Sequence, residues 1–245
     1  MKIDGVNVPV IFYETILDAA IRFGLYIPHL CKDVVDRGSG GCCRLCTVEI
    51  TIEGKSRLGA ACETTALEDM IIRTNTDIIK RSRDTLLQLM YSEAPGNKAI
   101  TDIMDKLKVK PNNNIPEKND SRACIHCQRC VRGCTLWSHG ALDHMGRGID
   151  KKIGTPYDKE TDECVGCASC EIACPLGTIE CEDYGNKRRI WNNEFEMIYC
   201  SECGKLLTTK KSYHEAYYND APDLCHECSE RYRIKNRPKD AMQNY

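Results

Sequence analysis

No stretch of this 245-residue chain approaches the ~20 consecutive apolar residues that a membrane-spanning helix needs, so no span is expected. Large aromatics are scarce, with three Phe and two Trp, which argues against one large apolar core. Charge of one sign is missing as well. Lys and Arg number 34 against 36 Asp and Glu, and this near-neutral balance makes no general case for nucleic-acid binding. The N-terminus, MKIDGVNVPVIFYE, lacks a basic segment followed by an apolar one, so a secretory signal is not expected. Neither a G-x-G-x-x-G fingerprint nor a P-loop occurs, which excludes the usual dinucleotide and nucleoside triphosphate sites.

Cysteine is what the chain has in excess. Eighteen are present, and sixteen fall into four sets at metal-ligand spacings. Two sets are the runs CIHCQRCVRGC (Cys124, Cys127, Cys130, Cys134) and CVGCASCEIACP (Cys164, Cys167, Cys170, Cys174). A third is long-short-long: Cys31, eleven residues, Cys43 and Cys46, fifteen residues, Cys62. The fourth is two knuckles, Cys200/Cys203 and Cys225/Cys228, separated by twenty-one residues. A secreted disulfide framework is the rival reading of such density. It does not account for tandem C-x2-C-x2-C-x3-C runs, whose thiols all face one small volume, and a reducing, cytoplasmic setting follows. Metal binding also supplies folding free energy where apolar core is short.

Periodicity sketches an α+β chain of modules in series. Residues 2–11 carry a hairpin signal around Gly5, Val6 and Asn7. Residues 13–24 place Ile16, Leu17, Ala20 and Ile21 at helical spacing and close at Gly24. TVEIT (47–51) alternates as a strand before Glu53-Gly54, and residues 70–73 read as another strand. A long helix is expected from Asp77 to Tyr91, stopped by Pro95-Gly96, with a shorter one at 99–107. The polar stretch 109–121, rich in Asn and Pro, reads as a linker. The expected divisions are residues 1–76, a helical spacer and linker at 77–121, the tandem runs at 122–190, and the knuckles with a polar tail at 191–245.

The loop before Cys43 holds Gly38, Ser39, Gly40 and Gly41, small residues that let backbone N–H groups approach the sulfides of a two-iron cluster. With IPHLC, GGCCRLCTVEI and ACETTALEDMIIRT, this part resembles the 2Fe–2S domain that opens the large iron–sulfur subunit of respiratory complex I, iron-only hydrogenases and some NAD-linked formate dehydrogenases. The resemblance implies a β-grasp ferredoxin fold. The motif G-x-C-R-x-C aligns Cys43 and Cys46 with ligands and leaves Cys42 as a small non-ligating thiol. In those relatives a His and three Cys for an additional 4Fe–4S cluster follow, whereas residues 63–123 here contain no Cys and no His. That cluster is expected to be absent, leaving the 77–107 helices as spacer or docking surface.

The tandem runs resemble the bacterial two-cluster ferredoxins, in which the fourth Cys of each run serves the other cluster. This implies one 4Fe–4S set of Cys124, Cys127, Cys130 and Cys174, and a second of Cys164, Cys167, Cys170 and Cys134. The insertion between the runs resembles its counterpart in complex I and iron-only hydrogenases, and its His139 and His144 read as surface or packing residues. Cys181 reads as a non-ligating thiol. Four thiolates on the C-terminal knuckles suit a tetrahedral zinc in a small zinc-ribbon-like module, with iron as the other option. Lys210, Lys211 and the run Arg231–Lys239 are offset by Glu202, Glu215, Asp220, Asp223, Glu227 and Glu230, so no basic nucleic-acid stripe is established.

The functional expectation is an electron-transfer subunit carrying one 2Fe–2S cluster, two 4Fe–4S clusters and one zinc, with no catalytic residues of its own. The resemblance implies as partners an NAD(P)H-binding flavoprotein and a thioredoxin-like 2Fe–2S subunit, within a hydrogenase, formate dehydrogenase or electron-bifurcating complex, or a ferredoxin. The alternatives are an iron–sulfur redox sensor with a zinc ribbon and a free-standing ferredoxin. The first needs a basic recognition surface or helix-turn-helix, and neither is found. The second is weakened by the chain's length and its extra module.

Overall fold

A computed structural model describes residues 1–32, 41–117, 123–217 and 223–235. Gly38, Ser39 and Gly40, the end of the Asn- and Pro-rich stretch, Asp220 and the tail from 236 lie outside the described residues. The chain divides into two compact units, residues 1–133 with 170–179, and residues 134–169 with 180–245.

The first unit opens with a hairpin of β1 (Lys2–Ile3) and β2 (Val6–Asn7). Its turn is Asp4-Gly5, both at positive φ, the two-residue geometry that matches strand twist. Helix α1 (Ile16–Arg22) begins at a capping box in which the Thr15 and Asp18 side chains each bond the other's backbone N–H. Gly24 follows its end at φ +69°, where a left-handed residue closes the helix. The long hairpin of β3 (Thr47–Ile52) and β4 (Lys55–Ala60) comes next, then β5 (Ile71–Arg73). The sheet order is β2-β1-β5-β3-β4, with β1 and β5 parallel and the other pairs antiparallel. β4 escapes the sequence pattern because it is an edge strand whose first four residues are all exposed, so it has no apolar alternation to read. Ile3, Ile16, Leu17, Val48, Ile50 and Ile72 fill the space between α1 and the sheet.

Helices α2 (Asp77–Glu93) and α3 (Lys98–Leu107) follow. They do more than span a gap. Leu87 and Met90 of α2 and Ile100, Ile103 and Met104 of α3 form one apolar cluster with Leu30, Cys31, Cys43, Leu45, Cys127 and Leu176. The segments bearing cysteines of two different sets are thus buried in the same core.

Two of the unit boundaries fall within α4 (Arg129–Trp137) and α5 (Ser169–Ala173), and the third lies between Ile179 and Glu180. The second unit contains the hairpin of β6 (Asp143–Met145) and β7 (Lys152–Gly154). It also holds an antiparallel sheet of β8 (Cys181–Tyr184), β9 (Lys187–Ile190), β10 (Asn193–Tyr199) and β11 (Leu206–Thr209) in the order β11-β10-β9-β8. This sheet runs unbroken across residue 190, with Ile190 pairing directly with Asn193. Helices α6 (Lys210–Tyr217) and α7 (His226–Lys235) complete it. Among the described residues no helix is long and apolar enough to cross a membrane.

Candidate metal centres

None of the eighteen cysteines is in a disulfide. The long-short-long set is assembled around the start of β3. Cys46 immediately precedes that strand, and Cys62 follows β4, where the Ala61 N–H donates to the Cys46 carbonyl at 3.1 Å. Between Cys43 and Cys46, Arg44 takes φ +55°, a left-handed conformation that turns the loop tightly. The Thr47 hydroxyl fixes that turn by donating to the Arg44 carbonyl at 2.7 Å. Gly41 takes φ +50°, a left-handed conformation that L side chains adopt rarely, so the turn favours glycine there.

Cys31, Cys43, Cys46 and Cys62 are all essentially buried. The side chain of Cys31 is hydrogen-bonded to those of Cys43 and Cys62, and that of Cys46 to Cys62. Hydrogen bonds from Cys43 and Cys62 pull the Cys31 pKa down to about 2, while the same Cys31 contact and burial drive Cys43 far up. Four thiols in this arrangement share protons because four thiolates cannot ionise together unaided. A multiply charged iron cluster removes that conflict, so the donor set fits one. Cys42 neighbours this group, its backbone N–H donating to the Cys31 sulfur. It is half-buried, its pKa raised by burial, and hydrogen-bonded to the Arg132 side chain.

A buried cation holds the loop in place. Arg83 of α2, only 5% exposed, donates to the carbonyls of Leu45 (2.9 Å), Thr74 (2.7 Å) and Thr47 (2.9 Å). Cysteine spacing does not point to this arginine, although the helical pattern carries a signal. Ile79, Arg83 and Leu87 stand four apart, so the arginine occupies an apolar-face position of its helix.

The two tandem runs fold alike. His126 and Gln128 in the first, and Gly166 and Ala168 in the second, occupy equivalent positions, and all four have positive φ. Alternation of this kind turns successive N–H groups inward and makes a backbone concavity for anionic sulfur. The His126 N–H reaches the Cys124 sulfur at 3.4 Å. In the second run Gly166 sits under Phe195, and a Cβ would meet that ring at 2.5 Å.

The first unit gathers Cys124, Cys127, Cys130 and Cys174. Burial pushes Cys127 up to about 11, and the negative charges of Cys124 and Cys174 add to it. Cys130 rises to about 12 for the same reason, under the influence of Cys127, Cys124, Cys174 and Cys170. The second unit gathers Cys134, Cys164 and Cys167, with burial raising Cys164 and the charges of Cys134 and Cys167 reinforcing it. Burial also raises Cys134, opposed by N–H groups of Leu142, Ala141 and Gly140 aimed at its sulfur. The insertion between the runs therefore supplies hydrogen bonds to a candidate ligand. Cys170, which the ferredoxin resemblance implies for this second set, belongs by chain division to the first unit. His139 meets Glu215 at 2.6 Å on the surface, and His144 is half-buried with its pKa lowered by burial.

The knuckles converge. The sulfurs of Cys200, Cys203, Cys225 and Cys228 all lie within 4.8 Å of one another. Cys203 and Cys225 sulfurs are 3.7 Å apart, close to the ~3.8 Å tetrahedron edge implied by metal–sulfur bonds of about 2.3 Å. Cys200 and Cys203 flank the turn after β10, where the Cys200 N–H donates to Lys205 O and Gly204 N–H returns to Cys200 O, both at 2.8 Å. Cys225 precedes α7 and Cys228 lies in its first turn. The Cys225 N–H pulls Cys200 down to about 6, while a hydrogen bond with Cys225 pushes Cys228 up to about 12. Again the thiols compete for protons, and one divalent cation would satisfy all four.

Comparison with known proteins matches two parts of the chain. Residues 1–77 match the family described as 2Fe-2S iron-sulfur cluster binding domain, and residues 123–178 the 4Fe-4S dicluster domain. An NADH-quinone oxidoreductase subunit of Rhizobium meliloti is 30% identical over 83% of this chain, which spans 26% of that protein. The alpha subunit of the NADPH-Fe(3+) oxidoreductase of Geobacter sulfurreducens is 28% identical, with the same coverage of 83% and 26%. An NADP-reducing hydrogenase subunit of Solidesulfovibrio fructosivorans is 26% identical over 75% of this chain and 36% of its own length. The chain thus spans about a quarter to a third of these relatives. A crystal structure of an NAD+-reducing nickel–iron hydrogenase in the H2-reduced state superposes with a TM-score of 0.55 at 27% identity, covering 63% of this chain and 73% of that one. The chain carries a 2Fe–2S cluster binding domain and a 4Fe–4S dicluster domain in series, and it is a relative of subunits of NADH- and NADPH-linked oxidoreductases and hydrogenases.

Proposed function

We propose that this chain is an electron-transfer subunit of an NAD(P)H-linked oxidoreductase, passing single electrons between a flavoprotein and a second redox partner. The observation that carries the reading is the shared core. Cys31 and Cys43 of the 2Fe–2S domain and Cys127 of the dicluster domain are buried in one apolar cluster with Leu87, Ile100 and Leu176. Two metal-binding domains joined only for convenience would not bury their ligand segments together, whereas a relay needs its sites close and rigidly held.

In this reading Cys31, Cys43, Cys46 and Cys62 hold a 2Fe–2S cluster in a β-grasp domain. Cys124, Cys127, Cys130 and Cys174 hold one 4Fe–4S cluster, and Cys134, Cys164, Cys167 and Cys170 the other. Cys200, Cys203, Cys225 and Cys228 hold a zinc in a ribbon-like module. Iron–sulfur groups supply reversible one-electron chemistry. The chain's own residues bury most of these sulfurs, aim N–H groups at them and fix the loops through Arg83. Hydrogen bonds to sulfur and burial are levers on reduction potential. The partners are an NAD(P)H-binding flavoprotein and a thioredoxin-like 2Fe–2S subunit, with hydrogenase or formate dehydrogenase subunits or a ferredoxin at the other end.

Anaerobic purification tests this. About ten iron and one zinc per chain are expected, with a two-iron EPR signal on mild reduction. The chain alone should not oxidise NAD(P)H. Near six iron, no two-iron signal, or NAD(P)H oxidation at enzymatic rates by the isolated chain would refute the reading.

A further inference from the structure

Arg129 and Arg132 stand three residues apart on α4 and so share one face of that helix. Both reach the segment that bears Cys31. Arg129 Nη1 donates to the Leu30 carbonyl at 3.4 Å, and Arg132 Nη2 donates to the Cys31 carbonyl at 2.7 Å. Arg132 also turns its Nη1 to the Cys127 carbonyl at 3.3 Å. One guanidinium therefore touches the main chains of two cysteines assigned to different clusters, and the Cys42 side chain rests on the same group. From the Cys31 sulfur to the Cys127 sulfur a path runs through covalent bonds, two hydrogen bonds and a single planar fork. A lysine cannot reproduce it, because an ammonium lacks the rigid two-pronged geometry.

We propose that Arg132 is a positioning residue for electron exchange between the two-iron site and the first four-iron site, fixing the two ligand segments against each other and placing a permanent positive charge between them. The proposal rests on the electron-transfer reading above. In the step it serves, one electron leaves one site and enters the other. The donor is oxidised by one unit and the acceptor reduced by one, with no bond formed or broken and no proton moved. The positive charge favours the more negative, reduced state of both sites. The fork holds their separation constant through the cycle.

The test uses the full chain, loaded anaerobically, as wild type, Arg132→Gln and Arg132→Lys. Iron content, EPR-monitored redox titration with dithionite, and exchange kinetics after flash photoreduction are measured on each. With iron at the wild-type level, Arg132→Gln should lower the one-electron equilibrium constant for reducing the two-iron site about tenfold, a fall of about 59 mV in midpoint, and slow exchange at least tenfold. Arg132→Lys should keep the midpoint near wild type yet still slow exchange, which separates the charge from the fork. Full iron with wild-type midpoint and exchange in Arg132→Gln overturns the proposal. Should the glutamine variant lose iron, the lysine variant decides, and wild-type exchange in it overturns the proposal equally. Absence of a two-iron signal in the wild type refutes the electron-transfer reading itself. Three loaded clusters with no effect of either variant remove only the role of Arg132.

Discussion

Replacing Arg83 by alanine should open the loop that carries Cys43 and Cys46. Its guanidinium bonds three carbonyls at 2.7–2.9 Å while only 5% exposed. Burial lowers its pKa, with Cys46 as the leading opposing influence, but a guanidinium keeps its charge in proteins. Truncation leaves the Leu45 carbonyl unpaired in a fully buried residue, costing about 1–3 kcal/mol, and removes two part-buried bonds, each taken at the ordinary net value of about 0.5–1.5 kcal/mol. A total near 3 kcal/mol follows, taken mostly from the 2Fe–2S domain. If the loop opens before iron is lost, the barrier to release falls by that amount, which is about a hundredfold in rate. The assay is decay of the two-iron circular dichroism at fixed urea under anaerobic conditions. Arg83→Lys retains the charge but at most part of the triple contact, so its acceleration should be about tenfold. Decay within threefold of wild type for Arg83→Ala would refute the claim that this residue holds the ligand loop.

Three shorter expectations accompany it. Cys43→Ser should abolish the two-iron EPR signal while Cys42→Ser and Cys181→Ser retain every cluster, since the Cys43 side chain is hydrogen-bonded to Cys31 and the Cys42 side chain to Arg132; the opposite outcome at residues 42 and 43 reverses the register. Gly166→Ala places a Cβ 2.5 Å from the Phe195 ring and 2.9 Å from Thr209 at φ +69°, so strain of about 2 kcal/mol or more is expected, visible as loss of about four iron per chain; unchanged iron would show that the second run tolerates a side chain there. Cys225→Ala should lose the one zinc and lower thermal stability of the second unit while the iron EPR signals persist, checked by elemental analysis and a melting scan; loss of iron instead would assign iron to the knuckles.

Much of this protein was legible because thiol spacing is a local property. Three cysteines at two-residue intervals face one volume under almost any tight turn, so both tandem runs stand out as candidate cluster sites before folding is considered. The apolar spacing of α1 and α2 is local as well, and these helices, like the shorter α3, lie where the sequence puts them. β4 was not legible, because an edge strand with exposed residues has no buried face to pattern its side chains. Nor was the sheet of β8 to β11, whose pairings depend on turns rather than on apolar runs. The tertiary structure alone decided what lies between the cysteine sets. Arg83 is separated from Leu45 by 38 residues and Arg132 from Cys31 by 101. No spacing rule links an arginine to a carbonyl so far along the chain. Ligand types follow from the covalent neighbourhood of each cysteine, whereas the charges and hydrogen bonds around a cluster come from wherever the folded core brings them.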